Sequence, residues 1–221
     1  MRLIIFDWDG TLMDSVAHIV ASVQVAASET ELAKPSPESI RNVVGLGLRE
    51  ALTQVFPGIT KHDIGRFVDV YRRYFVNGPP GATALFPGVR EVLQELRQRN
   101  YQLAVATGKG RRGLERELNV TDLHQTFDVT RCADETFSKP HPLMLEEILD
   151  ELALLPEQAL MVGDTEYDLE MAANANIRAI GVSWGVHAVS RLQGFSPLTI
   201  LDSIHDLPMF LDEKFAPSKS R

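Results

Sequence analysis

The sequence predicts an α/β protein: a doubly wound, mostly parallel sheet with an inserted all-helical cap domain. From about residue 86 onward, short apolar runs alternate with helical patterns, and strands separated by helices pair in parallel through right-handed crossovers. Residues 15 to about 82 show several helical patterns and no strand pattern. The apolar run Leu3–Phe6 precedes that helical block. We therefore expect a core domain of residues 1–14 and 83–221, interrupted by a cap domain of residues 15–82.

The first strand ends in two acidic residues. Leu3–Phe6 is apolar enough for a strand buried on both faces, and Asp7 and Asp9 follow it directly before Gly10 and Thr11. Residues i and i+2 of an extended segment point the same way, so the two carboxylates can converge. Converging carboxylates repel each other unless a proton or a cation lies between them. The pattern indicates a metal site or an acid/base pair; the alternative is a plain turn, where Asp is common.

Four helices are expected in the cap block. The first begins after Asp14 or Ser15 as N-cap, because apolar residues then recur at helical spacing: Val16, Ile19, Val20 and Val23. The others are marked by a proline start, a run after two glycines and a capping-box pattern: Ser36-Pro37, Arg49–Phe56 after Gly45 and Gly47, and Thr60 with Asp63. The block ends at Asn77–Gly81, a strong linker signal.

Strands and helices alternate over the rest of the chain. The further expected strands are Leu103–Ala106, Val129–Cys132, Ala159–Val162 and Ala179–Val182. The expected helices are Val89–Leu96, Leu114–Leu118, Leu143–Leu152 and Leu169–Ala175, and the polar tail Lys214–Arg221 is expected to be frayed. Parallel strands bring their carboxyl ends to one edge, where open sheets of this Rossmann-like kind carry their chemistry. We expect the cap to lie as a lid over that edge.

Composition limits the classes of function. The chain has 221 residues, 44% hydrophobic and 24% charged, which is ordinary for a globular protein. Its formal net charge of −8 argues against nucleic-acid binding, which needs a basic surface. No apolar stretch reaches the ~20 residues of a membrane span, and no signal peptide is expected because Asp7 interrupts the first apolar run. The single Cys132 cannot form an intrachain disulfide, which favours the cytoplasm, and is interpreted as a packing residue.

A further candidate position follows the second expected strand. Thr107 and Gly108 stand there, and a hydroxyl with free backbone N–H groups can hold a phosphate oxygen; a helix cap is the plainer alternative. Residues 108–113 also match G-x-G-x-x-G between a strand and a helix, with Asp128 or Asp134 as the acidic partner of a dinucleotide site. That interpretation accounts for none of the acidic residues elsewhere in the chain.

A proline-flanked loop carries a candidate cation. Lys139 lies between prolines in Ser138–Pro142, a stiff loop that would hold its ammonium in place to bind phosphate. A solvated surface lysine is the alternative. His141, in the same loop, is interpreted as a loop residue because no other metal-ligating side chain lies at a suitable spacing.

A second apolar strand also ends in acids. Asp164 follows Ala159–Val162 after one glycine, so its carboxylate would face the same edge as Asp7. Asp168 lies one helical turn further on, where Thr165 and Asp168 can instead form a capping box. Carboxylates from two strand ends are the hard oxygen ligands that Mg²⁺ requires.

In this order, the four motifs resemble the haloacid dehalogenase-like superfamily of phosphatases. The motifs are Asp7-x-Asp9-Gly10-Thr11, Thr107 after a strand, Lys139 before a proline, and Gly163-Asp164-x-x-x-Asp168. The helical insertion and Phe86-Pro87-Gly88 are similar to the phosphoglycolate-phosphatase-like branch, which carries a helical cap. The resemblance covers nearly the whole chain.

The resemblance implies a Mg²⁺-dependent phosphatase that works through an aspartyl-phosphate. Asp7 would be the nucleophile, and Asp9 would protonate the leaving alcohol and then deprotonate the attacking water. The phosphoryl group would be bound by Thr107, Gly108 and Lys139. The metal ligands would be Asp7, the carbonyl of Asp9, and Asp164, with Asp168 orienting ligands or a metal-bound water. Dehalogenating members lack the second acid of the first motif, so the presence of Asp9 argues against dehalogenation.

The substrate is left open by the sequence. The expected partner is a small phosphorylated metabolite, with phosphoglycolate suggested by resemblance alone, and the expected state is a monomer or small homo-oligomer. Arg41 and Arg49 flank the Gly45/Gly47 break and are predicted to reach the substrate from the cap; a solvated helix face is the alternative. Two other activities are considered: a phosphosugar mutase of the same family, and a nicotinamide-dinucleotide-dependent oxidoreductase built on the glycine run.

Overall fold

The computed structural model describes residues 1–78 and 83–215. Its strands are β1 (Leu3–Phe6), β2 (Met13–Asp14), β3 (Ala84–Leu85), β4 (Gln102–Thr107), β5 (Val129–Cys132), β6 (Ala159–Gly163), β7 (Arg178–Val182) and β8 (Ile200–Leu201). Its α-helices are α1 (Val16–Glu29), α2 (Pro37–Arg41), α3 (Leu48–Val55), α4 (Lys61–Val76), α5 (Val89–Gln98), α6 (Arg111–Val120), α7 (Leu143–Leu152), α8 (Glu166–Asn174), α9 (Val189–Gln193) and α10 (Leu207–Phe215). Two 3₁₀ turns cover Pro156–Gln158 and Ile204–Asp206.

Six strands form one sheet in the order β5-β4-β1-β6-β7-β8, and every neighbouring pair is parallel. This confirms the predicted fold class, a doubly wound parallel sheet. All five strands expected from the sequence are present, and so is each of the expected helices. Parallel pairing follows from the helix between each strand and the next, which returns the chain to the same end of the sheet.

The strand β1 lies at the centre of the sheet and is buried on both faces. Ile4 and Phe6 pack into one apolar layer with helices α5, α6 and α10, whereas Leu3 and Ile5 pack into the other with α7 and α8. All four side chains are fully buried. The unbroken apolar run is therefore the pattern of a strand covered by helices on both sides.

Helices α1 to α4 bury an apolar cluster of their own, which includes Val20, Val23 and Phe67. Two of their starts follow the predicted capping chemistry: Ser36 Oγ accepts from Ser39 N at 3.0 Å, and Thr60 Oγ1 accepts from Asp63 N at 3.2 Å. The predicted linker and tail, Asn77–Gly81 and Lys214–Arg221, extend beyond the described residues.

Some short elements were not predicted. Strands β2 and β3 pair antiparallel, Met13 with Leu85 and Asp14 with Ala84, and so join the chain entering the helical block to the chain leaving it. The edge strand β8 and helices α9 and α10 were also missed. Strands of two residues are too short to show a period.

No helix in the described part of the chain is both long and apolar enough to cross a membrane.

Candidate active site

The site lies at the carboxyl edge of the three central strands. Asp7 follows β1, Thr107 ends β4, and Asp164 follows β6. Because Phe6 is level with Val105 on one side and with Val162 on the other, these three ends emerge side by side. Asp7 and Thr107 are 1% exposed and Asp164 is fully buried. The prediction that separate strand ends converge is met by the geometry.

Lys139 joins two of the acids. Its ammonium lies 2.5 Å from Asp7 Oδ1 and 2.6 Å from Asp168 Oδ1, and the residue is 2% exposed, which excludes the alternative of a solvated surface lysine. Burial alone would lower the pKa of Lys139, but the attraction of Asp168 and Asp7 outweighs it and raises that pKa above its ordinary value. Lys139 is therefore a permanent cation inside the site.

Three carboxylates surround this cation. Asp7, Asp164 and Asp168 each offer one oxygen, and these oxygens lie within 4.8 Å of one another. Asp7 Oδ2 is buried and has no hydrogen-bond partner among the described residues. One ammonium does not offset three buried carboxylates, so this donor set fits a divalent cation with oxygen ligands.

Burial sets the protonation of the carboxylates. Desolvation raises the pKa of Asp7 well above its ordinary value, although Lys139 opposes the shift. Desolvation, with the repulsion of Asp168, raises the pKa of Asp164 to about 7. Both shifts show that the negative charges are costly here without further positive charge.

Asp168 forms the capping box that the sequence offered as the alternative to a role at a metal site, and it also contacts Lys139. The role at a metal site stays a prediction. Asp168 Oδ2 accepts from Thr165 Oγ1 at 2.7 Å and from Thr165 N at 3.1 Å, which forms the capping box of α8. Its Oδ1 accepts from Lys139. The helix cap thus holds the carboxylate that positions the lysine.

The carboxylate of Asp9 lies apart from that cluster. Its Oδ1 accepts from Ser15 Oγ at 2.6 Å, and its Oδ2 lies 3.0 Å from Lys109 Nζ. Ser15 is the N-cap residue of α1, as expected, but its hydroxyl makes no cap hydrogen bond and serves Asp9 instead. The carbonyl of Asp9 as a metal ligand stays a prediction.

Contacts with Asp164 explain the glycine and the threonine of the first motif, Gly10 and Thr11. Gly10 has a φ of +91°, and a Cβ there would lie 2.3 Å from Asp164 Oδ2, so only glycine lets this turn pass the carboxylate. Thr11 Oγ1 donates to Asp164 Oδ1 at 2.9 Å, and Val186 N donates to Asp164 Oδ2 at 2.8 Å. The loop around Val186 had no signal in the sequence.

Thr107 and Gly108 lie under the helical block. Thr107 Oγ1 accepts from Lys109 N at 3.1 Å, which leaves its hydroxyl hydrogen free to donate. A Cβ on Gly108 would lie 2.4 Å from the carbonyl oxygen of Gly45 and 2.5 Å from that of Leu46. The segment that the sequence marked by two glycines therefore lies against the phosphate-binding candidates.

Further contacts hold this segment to the core. Gly47 N donates at 2.7 Å to the hydroxyl of Ser138, which is the residue before Lys139. Tyr167 Oη donates to the carbonyl of Asn42 at 2.8 Å, and Arg191 donates to Asn42 Oδ1 at 2.6 Å. These side chains were missed because nothing in a sequence marks which surface residue meets a distant loop. The contacts place residues 42–47 at the carboxyl edge of the sheet. That the helical block as a whole is a lid stays a prediction.

The two cap arginines, Arg41 and Arg49, are exposed. Neither makes a hydrogen bond or ion pair to the described side chains of the site. Their predicted contact with a substrate therefore stays a prediction.

The glycine run 108–113 leads into α6, as its pattern predicts. Arg111 N, at the start of that helix, donates to Asp134 Oδ1 at 2.8 Å. Asp128 accepts from Leu103 N at 2.9 Å. Both acids proposed for a dinucleotide site are thus engaged with the chain itself, one of them on the helix N-terminus that a pyrophosphate would need.

The remaining candidates are structural. His141 Nδ1 accepts from Leu143 N at 3.2 Å within its own loop. Cys132 is fully buried, and burial raises the pKa of its thiol to about 12. Both observations agree with the interpretation of a loop residue and a packing residue.

Comparison with known proteins identifies the family. The fold and the site define a helix-covered α/β protein with a buried acidic site at the carboxyl edge of its sheet. The chain belongs to the haloacid dehalogenase-like hydrolase family, whose model matches residues 4–182.

Individual relatives span almost the whole chain. "Probable phosphatase IndB" of Dickeya dadantii is 33% identical over 211 residues, 93% of this chain and 91% of that protein. "Pyrophosphatase PpaX" of Oceanobacillus iheyensis is 30% identical over 217 residues, 98% of this chain and 99% of that one. The crystal structure of a "predicted phosphoglycolate phosphatase" from Haemophilus somnus superposes with a TM-score of 0.83 at 25% identity, covering 95% of this chain and 97% of that one.

Proposed function

We propose that this protein is a Mg²⁺-dependent phosphatase that hydrolyses a small phosphate monoester through an aspartyl-phosphate intermediate. The observation that carries the proposal is the environment of Asp7: one carboxylate oxygen accepts from Lys139, while the other is buried without a partner. The unpartnered oxygen is available to attack. Membership of a hydrolase family and relatives named as phosphatases support the same reaction class.

In the first half-reaction, Asp7 Oδ2 forms a bond to phosphorus as the bond from phosphorus to the leaving oxygen breaks. The leaving oxygen takes the proton of Asp9 and departs as an alcohol. In the second, water attacks the phosphorus of the aspartyl-phosphate and gives a proton to Asp9. Inorganic phosphate is released, and the carboxylate of Asp7 is regenerated.

The other side chains would hold charge. Lys139 would favour the ionised form of Asp7 and offset the charge of the phosphoryl oxygens, since its ammonium already lies 2.5 Å from Asp7. The Thr107 hydroxyl and the N–H of Gly108 would donate to phosphoryl oxygens. Phosphoryl transfer depends mainly on such positioning and charge compensation.

The Mg²⁺ ligands would be the carboxylates of Asp7 and Asp164 and the carbonyl of Asp9, with Asp168 completing the acidic set. When bound, the ion would supply positive charge to the phosphoryl oxygens and to these carboxylates. The pKa of Asp164, raised by burial to about 7, supports a cation there.

We further propose that residues 15–82 form a cap domain that limits the substrate to a small molecule. The contact of Gly108 with the carbonyls of Gly45 and Leu46 supports this, because it leaves little room above the phosphate-binding candidates.

Phosphoglycolate is suggested as the substrate by the structural neighbour, and pyrophosphate by a sequence relative. A monomer or small homo-oligomer is the proposed state. The single cysteine of the chain supports a cytoplasmic location.

The test is Mg²⁺-dependent phosphate release from a generic aryl phosphate. We expect activity in the wild type, loss with a chelator, and loss in Asp7→Asn. Asp122→Asn is the matched control, because it makes the same substitution at a side chain that is 85% exposed and is expected to keep full activity. Equal activity in Asp7→Asn or in chelator would refute the proposal.

Two further measurements address substrate and alternatives. A screen of about a hundred phosphorylated metabolites would identify the ester. The kinetics of Arg49→Ala on the best substrate then test the predicted contact of Arg49. Unchanged kinetics would show that Arg49 does not contact the substrate. Phosphate release without isomer formation excludes a mutase. Unchanged protein fluorescence on adding a nicotinamide dinucleotide excludes the oxidoreductase.

A further inference from the structure

A closed ring of buried side chains adjoins Asp9. Lys109 Nζ lies 3.0 Å from Asp9 Oδ2 and 3.4 Å from Glu117 Oε1. Trp8 Nε1 donates to Glu117 Oε2 at 2.5 Å. Because Trp8 and Asp9 are consecutive, the contacts return to the segment where they began. The side chains of Lys109 and Glu117 are 8% and 3% exposed, so this is an interior network.

The helical block covers the outer side of this ring. The aromatic ring of Phe75, on α4, lies 4.4 Å from Lys109 Nζ, a cation–π contact. Tyr71 stacks on Phe75 with 5.6 Å between ring centroids. Lys109 therefore contacts Glu117 of the core and Phe75 of the helical block in addition to Asp9.

Each oxygen of the Asp9 carboxyl group has a partner of its own. The ammonium of Lys109 lies 3.0 Å from Oδ2. The hydroxyl of Ser15 donates to Oδ1 at 2.6 Å. Both oxygens of Asp9 are thus fixed in direction.

We propose that Lys109 is a positioning residue that aims the carboxyl group of Asp9 at the leaving oxygen, with Glu117 and Phe75 as its anchors. The inference rests on the proposed function, in which Asp9 is the general acid. Proton transfer requires hydrogen-bond reach to the reacting oxygen, and a small misplacement of a catalytic group is costly. In this role Lys109 acts through Asp9.

The test compares leaving groups in single turnovers. An alkyl phosphate needs a proton on its leaving oxygen, whereas 2,4-dinitrophenyl phosphate expels a stable anion without one. The variants are Lys109→Met and the double variant Lys109→Met/Glu117→Gln. The double variant is decisive, because it removes the cation without leaving Glu117 buried and unpaired. The control is Arg112→Met, an exposed cation in the same segment.

We expect the rate constant for first-turnover cleavage of the alkyl phosphate to fall about 10- to 100-fold in both variants. The KM, measured separately in the steady state, should change less than about threefold. Cleavage of the dinitrophenyl ester should change less than about threefold, and the control should match wild type. An equal loss on both esters would show a merely structural role, and no loss on either would show no role; both results overturn the inference. A wild type inactive on both esters, or an active Asp7→Asn, would instead refute the proposed function.

Discussion

The backbone of Gly108 lies so close to Leu46 that a Cβ would come within 2.5 Å of the Leu46 carbonyl oxygen. One residue follows the central strand β4, and the other belongs to the helical block. Both partners in this contact are main chain, so neither can turn aside as a flexible side chain would. The contact therefore fixes how near the helical block can come to the site.

Gly108→Ala should displace residues 42–47 from the site. We expect kcat/KM for the best phosphate ester to fall about 10- to 100-fold, because misplacement by about 1 Å is enough for such a loss. Gly65→Ala in α4 is the control: a Cβ there meets nothing within 4 Å, and alanine favours a helix over glycine. The measurement is kcat/KM of both variants in the steady state. An unchanged kcat/KM in Gly108→Ala would show that this backbone contact does not affect the activity of the site.

Lys139→Met should damage both stability and activity. Asp7 and Asp168 would lose the cation that lies within 2.6 Å of each, at a cost of about 3–5 kcal/mol in unfolding free energy. Activity should fall at least about 100-fold, since the charge facing the phosphoryl group is removed. Denaturant unfolding and phosphate release measure the two effects. Lys61→Met, which removes an exposed lysine of α4, should change neither, and a fully active Lys139→Met would contradict the assigned role.

Mg²⁺ should stabilise the folded protein independently of any substrate. At a free concentration about 100 times its Kd, the ion would add about 2.7 kcal/mol to the unfolding free energy. Asp164→Asn should lose most of this gain because it removes one of the three clustered carboxylates. Asp122→Asn should keep it. Thermal unfolding with and without Mg²⁺ is the measurement, and an equal shift in Asp164→Asn would place the ion elsewhere.

Without metal, Asp164 should make stability depend on pH. Its pKa is about 7 in the folded protein against an ordinary value of 3.8, so the folded state binds this proton more tightly than the unfolded chain does. Its contribution to stability is therefore greatest below about pH 4 and is lost as the pH rises to about 7. In chelator, the unfolding free energy of wild type minus that of Asp164→Asn should fall across this range. A difference that stays constant or rises would show that the carboxyl group is not perturbed in this direction.

The ordered motifs and apolar periods predicted much of this protein from its sequence. Buried strands such as Leu3–Phe6 are recognisable because a strand covered on both faces must be apolar throughout. The positions of Asp7 and Asp164 followed from the rule that parallel strands end at one edge. Capping residues such as Ser36 were recognisable because they act on the next turn of the same helix.

Tertiary structure alone decided which distant groups meet. No spacing indicates that Lys109, which the sequence offered within a dinucleotide pattern, pairs with Asp9 and Glu117, or that Gly108 meets the carbonyl of Leu46. Periodicity reports the faces of single elements, whereas such contacts depend on how separate elements pack. The sequence by itself determined five of the described strands, helices α1 to α8 and the acids at the sheet edge. Packing decided the partners of each acid, because a carboxylate's neighbours are set by distance in space and not along the chain.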